Sequence, residues 1–153
     1  MVAADLSREQ VFEWLANVPD PEIPVLSILD LGIVRDVELG DTITVSLAPT
    51  YSGCPATEVI ESSVLRALEQ HGLEDVAIKR VLSPPWTTDW ISEAGREKMR
   101  RYGIAPPTTN RPVACPQCES TKTERVSEFG STACKAAYRC QDCLEPFEYF
   151  KCL

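Results

Sequence analysis

The chain has 153 residues and a net charge of −8, with 9 Lys and Arg against 17 Asp and Glu in residues 1–110 and 6 against 6 in residues 111–153. Nucleic-acid binding draws much of its affinity from cationic contacts to phosphate, so this acidic chain is directed away from nucleic acid and towards protein partners. No apolar run reaches signal-peptide or membrane-spanning length, so the expectation is a cytoplasmic protein with no membrane partner, whose seven cysteines are reduced and act as metal ligands or reactive thiols.

Taken in chain order, Ser7 followed by Gln10 reads as a capping box, and Val11, Trp14, Leu15 and Val18 recur on one helical face until Pro19. The next segment, Asp20-Pro21-Glu22-Ile23-Pro24, cannot be helical, because its two prolines remove donors and push their predecessors to extended geometry. Its carboxylates, Asp20 and Glu22, could ligate a hard cation, cap a helix, orient a thiol, or simply stand in solvent. Residues 33–39 and 42–47 read as two strands flanking Gly40-Asp41, with Ile43, Val45 and Leu47 alternating against Thr42, Thr44 and Ser46.

Pro55 suits a first helical position, and Val59, Ile60, Val64, Ala67 and Leu68 follow at helical spacing up to Gly72. Val76, Ile78 and Leu82 alternate as a third strand. The α-β-β-α-β order predicts a small α+β sandwich. Cys54, at the expected start of the second helix, meets unpaired N–H groups that favour a thiolate, a nucleophile or soft-metal ligand. A buried cysteine acting as a small hydrophobe is the alternative. His71, at the other end of that helix, reads as a partner of the helix dipole rather than a ligand.

Trp86, Asp89 and Trp90 serve either as a contact surface or as core. Thr88 or Asp89 then caps a third helix with Ile91, Ala94, Met99 and Tyr102 inward, and Gly103 as its stop. Residues 104–112 hold three prolines and read as a linker. The partition is thus 1–103 for an α+β domain, 104–112 for the linker and 113–153 for a metal module.

That module carries Cys115-x2-Cys118 and Cys140-x2-Cys143. Two residues between thiolates let one tight turn aim both sulfurs at a single ion, and two such turns complete a closed tetrahedral shell, which predicts a structural Zn2+ site in a zinc ribbon. Two disulfides or an iron site are the competing readings. Cys134 and Cys152 stand outside the frame. Cys134 either packs, approaches the metal knuckles, or faces Cys54 across the domain boundary; Cys152 reads as a strand residue.

The order Asp20-Pro21-Glu22, Leu31-Gly32-Ile33-Val34 and Thr50-Tyr51-Ser52-Gly53-Cys54-Pro55 resembles the MIP18 family of iron–sulfur assembly factors. With Pro84-Pro85-Trp86-Thr87-Thr88-Asp89-Trp90, residues 129–135 and the four-cysteine module added, residues 8–153 are similar to the family of small accessory subunits encoded with multicomponent phenylacetyl-CoA epoxidase. The resemblance implies an accessory factor for iron–sulfur cluster assembly or metal-centre maturation in aerobic phenylacetate degradation. Cys54 stands at the family's functional cysteine and would hold a transient iron–sulfur cluster, with Asp20, Glu22 and Cys134 as further candidates for handling the cluster or its iron. The implied partners are the epoxidase components, above all the iron–sulfur reductase, other iron–sulfur assembly proteins, and a second copy of the chain in a homodimer.

No catalytic activity of its own is expected. The chain has one histidine and no Glu-x-x-His, which excludes a di-iron oxygenase site. The alternative function is a zinc-ribbon docking subunit that transfers no cluster.

Overall fold

In the computed structural model, which describes residues 5–50, 56–109 and 112–152, the chain divides into two units, Met1–Ser92 and Glu93–Leu153. The first opens with α1 (Arg8–Leu15), where the Ser7 hydroxyl accepts from the Gln10 N–H and the Gln10 side chain accepts from the Ser7 N–H. This reciprocal cap satisfies two N–H groups that a helix start leaves without partners. α1 buries Val11 and Leu15, while Trp14 stacks on His71 with ring centroids 4.1 Å apart. His71 therefore has a packing role that its position alone did not reveal.

β1 (Val34–Glu38) and β2 (Ile43–Leu47) form the expected antiparallel hairpin, with a register shift between Val34 and Asp36. α2 (Ala56–Glu69) crosses over to β3 (Val76–Arg80), which pairs parallel with β2, as a parallel pair requires a helical or similarly long connection. β2 is the central strand and buries Val45, Ser46 and Leu47. α2 buries Ala56, Ile60, Val64 and Leu68, one stripe at four-residue spacing. Its end is closed by Gly72 at φ +85, with the Leu73 N–H donating back to the Leu68 carbonyl at 3.0 Å and the Gly72 N–H to that of Glu69 at 2.9 Å, a pattern that only a left-handed residue permits at low cost. β3 stops at Arg80, short of Leu82, which is 68% exposed.

The tryptophan segment folds onto this unit. Trp86 is buried and donates its indole N–H to the Leu31 carbonyl at 2.7 Å, so it serves as core rather than as a contact surface. Thr88–Trp90 is a 3-10 turn capped by Thr87. Gly32, at φ +70, lets the chain pass so close to Trp90 that an added Cβ would lie 2.5 Å from its carbonyl oxygen.

The second unit begins with α3 (Glu93–Tyr102) and continues through β4 (Ile104–Ala105), β5 (Thr123–Ser127), β6 (Lys135–Cys140) and β7 (Pro146–Phe150). The sheet order is β4-β7-β6-β5, with β4 parallel to β7 and the other pairs antiparallel. Here the structure differs from the sequence expectation in three ways. The third helix starts at Glu93, because the Thr87 cap belongs to the 3-10 turn and Ile91 is extended. Its buried residues are Gly95 and Met99, whereas Ala94 and Tyr102 are exposed.

The third difference is the partition, which falls at Ser92/Glu93 rather than at residue 103. α3 packs on β4, and residues 104–105 of the expected linker are a strand. The following prolines are tied down as well: the Tyr149 hydroxyl accepts from the Thr108 N–H and donates to its carbonyl, each at 3.2 Å. Among the described residues no helix is long and apolar enough to cross a membrane.

Candidate metal centre and carboxylate cleft

The two cysteine pairs sit on matching turns at one end of the β5–β6–β7 sheet. In the first, the Cys115 N–H donates to the Ser120 carbonyl at 2.9 Å; in the second, the Cys140 N–H donates to that of Glu145 at 3.0 Å. Each turn passes through a left-handed residue directly after its second cysteine, Glu119 at φ 63 and Leu144 at φ 66. Backbone N–H groups approach the first sulfur of each pair, Gln117 to Cys115 at 3.4 Å and Cys143 to Cys140 at 3.5 Å. Cys115 and Cys140 are buried, and Cys118 and Cys143 are exposed.

All four sulfurs lie within 4.8 Å of one another, with Cys115–Cys143 at 3.7 Å and Cys118–Cys140 at 3.5 Å. A tetrahedral zinc shell with bonds of about 2.3 Å spaces its sulfurs by about 3.8 Å, so the set fits the ion. A disulfide would need about 2.05 Å. The proton affinities diverge as expected for thiols crowded together. The Cys143 N–H lowers Cys140 to about 7, against burial. Cys143 receives the Glu145 N–H, which lowers it, yet burial and the other three sulfurs push it up to about 12. Four thiolates cannot share this space without a cation, and a bound zinc ion would supply the charge that keeps them ionised.

Cys134 lies far from this centre. It precedes β6, whose register against β7 runs without a break from Lys135 to Arg139. Six residues of strand separate Cys134 from Cys140, about 20 Å at the usual rise, so the expectation that it might approach the knuckles gives way. It is buried, with its sulfur 3.0 Å from the Thr132 hydroxyl. Cys152 is exposed, 3.3 Å from the Thr108 carbonyl. Ser120 and Asp142, which the sequence reading passed over, join the two knuckles through a side-chain hydrogen bond. Nothing in a serine and an aspartate 22 residues apart signals such a bond.

In the first unit Asp20 is buried, and its Oδ1 accepts the N–H groups of Glu22 at 2.9 Å and Ile23 at 2.8 Å. Pro21 and Pro24 contribute no donors, so this one carboxylate oxygen organises the turn. Asp20 and Glu22 line a small cleft with Ile33, Leu47, Pro49, Thr50, Ala56, Thr57 and Ile60. Cys54 lies outside the described residues, in the segment 51–55 between the cleft residues Thr50 and Ala56.

Comparison with known proteins gives each unit a counterpart. Residues 8–80 match the model of an iron–sulfur cluster assembly protein, and residues 102–151 match that of a PaaD zinc β-ribbon domain. Over 98% of both chains the sequence is 48% identical to the Escherichia coli (strain K12) protein named as the D-type subunit of 1,2-phenylacetyl-CoA epoxidase. Over 49% of this chain and 88% of the relative it is 37% identical to the Fe-S protein maturation auxiliary factor SufT of Staphylococcus aureus (strain USA300). Among solved structures, a conserved hypothetical protein of Thermotoga maritima is similar at 30% identity and TM-score 0.54, covering 65% of this chain and 98% of that one. A DUF59 domain of Bacillus anthracis is similar at 26% identity and TM-score 0.56, covering 60% and 90%.

Proposed function

Because this chain belongs to the PaaD family of 1,2-phenylacetyl-CoA epoxidase subunits, an iron–sulfur cluster assembly domain followed by a zinc β-ribbon, we propose that it is an accessory factor that matures the metal centres of such an epoxidase. Its cargo is an iron–sulfur cluster, and the recipient is the iron–sulfur reductase component. Cys54 is the thiolate that holds the cluster in transit, passing it on by exchange of each iron–thiolate bond for one to the acceptor, with no change of oxidation state. Asp20 sets the loop facing this segment, and Glu22 supplies a carboxylate beside it. Cys134 is assigned to the same handling only as a supplementary thiol. The zinc is structural and the chain catalyses no reaction of its own.

The observation that carries this reading is the cleft of the first unit, in which both carboxylates meet the two residues that border the Cys54 segment. The experiment is a Cys54→Ala chain co-expressed with the reductase. The variant should fold and keep its zinc, since the ribbon is closed by its own four sulfurs, while the reductase accumulates short of iron and sulfide. A fully loaded reductase beside this variant would end the carrier role.

That outcome would leave the second reading, a docking subunit of the epoxidase. It is favoured by the apolar side chains that the ribbon exposes, Val126 at 65%, Phe129 at 59% and Leu144 at 69%, since such surface is more often covered by a partner than left in water.

A further inference from the structure

We propose that Ser120 and Asp142 form a clasp between the two cysteine knuckles that sets how long the metal is held. The Ser120 hydroxyl donates to Asp142 Oδ2. Ser120 is fixed to the first knuckle, because its carbonyl accepts the Cys115 N–H at 2.9 Å and its Oγ accepts the Lys122 N–H at 3.1 Å. Asp142 lies inside the second knuckle, next to Cys143. The backbone ladder between the arms reaches the Gln141 N–H on the Lys122 carbonyl at 2.8 Å. Beyond that rung the knuckles are joined by the sulfurs through their ion and by this side-chain pair.

Loss of the ion requires the knuckles to part, so that sulfurs are shed in turn. The exposed pair, Cys118 and Cys143, is the one that water and competing ligands reach first. A link that survives while one sulfur is off keeps that sulfur within range to rebind, and the ion stays. The charge of Asp142 does not help: four thiolates around Zn2+ already leave a net negative site. The hydrogen bond, not the carboxylate charge, is the useful feature.

This rests on the zinc assignment, and the test separates the two. Zinc release from the full chain into excess chelating chromophore is timed for wild type, Ser120→Ala, Asp142→Ala, the double variant and Asp142→Asn. Each alanine variant should release about three- to tenfold faster, and the double variant no faster than either single one. Asp142→Asn, which keeps an acceptor oxygen and drops the charge, should match wild type. Wild-type rates in the alanine variants, or single effects that multiply in the double, would overturn the clasp with the zinc assignment intact. Wild-type protein purified without zinc would overturn both.

Discussion

Two residues of the first unit are held by backbone geometry that a single substitution exposes. Gly32 combines φ +70 with an approach that would put an added Cβ 2.5 Å from the Trp90 carbonyl oxygen, so Gly32→Ala should cost about 2–4 kcal/mol, read as a lower midpoint in urea unfolding. Asp20 separates loop shaping from metal handling. Asp20→Asn keeps the Oδ1 that accepts from Glu22 and Ile23, whereas Asp20→Ala leaves both N–H groups unpaired at about 1–3 kcal/mol. The asparagine variant should fold and still support reductase loading. If it folds and the reductase stays empty, Asp20 acts on the cargo and not only on the loop.

At the scale of an element, β7 is tied to the loop before β6 by one carboxylate. Glu148 accepts the Ser131 N–H at 2.7 Å and its hydroxyl at 2.9 Å, and pairs with Lys135 at 3.2 Å, whose side chain is buried. Burial alone would raise Glu148, but Ser131 and the Lys135 ammonium outweigh it and hold it below 4.5. A carboxylate lowered by folding stabilises above its unfolded value and stops doing so as the pH falls through the folded one. Glu148→Gln, which strands a buried ammonium, should therefore destabilise the ribbon by about 1–3 kcal/mol at neutral pH. The gap to wild type should close in acid below 4.5, which thermal melts across pH would record. An equal gap at every pH would assign the loss to packing.

For the whole molecule, the two units rest on different sources of stability. The first has an apolar core running from Val11 to Leu73, and the second unites a small cluster around Cys115, Cys140, Phe147 and Tyr149. A core that small needs its ion, so Cys140→Ser, or a strong chelator, should expose the amides of β5, β6 and β7 to hydrogen exchange while those of β2 and α2 stay protected. Protection retained throughout the ribbon without metal would show that packing suffices. The sequence by itself determined whatever depends on near neighbours: the Ser7–Gln10 cap, the α2 stripe and its Gly72 stop, the hairpin around Gly40-Asp41, and the paired knuckles, because spacing of a few residues dictates each of them. It also carried the family resemblance. Tertiary structure alone decided which face of α3 is covered, since Ala94, Gly95, Met99 and Tyr102 offer more than one apolar stripe and only the neighbouring strand selects between them. It decided that helix's membership of the ribbon unit, the removal of Cys134 from the metal shell by a strand's length, and the meeting of Ser120 with Asp142, because these depend on chain segments distant in sequence whose separation is fixed only once the strands have paired.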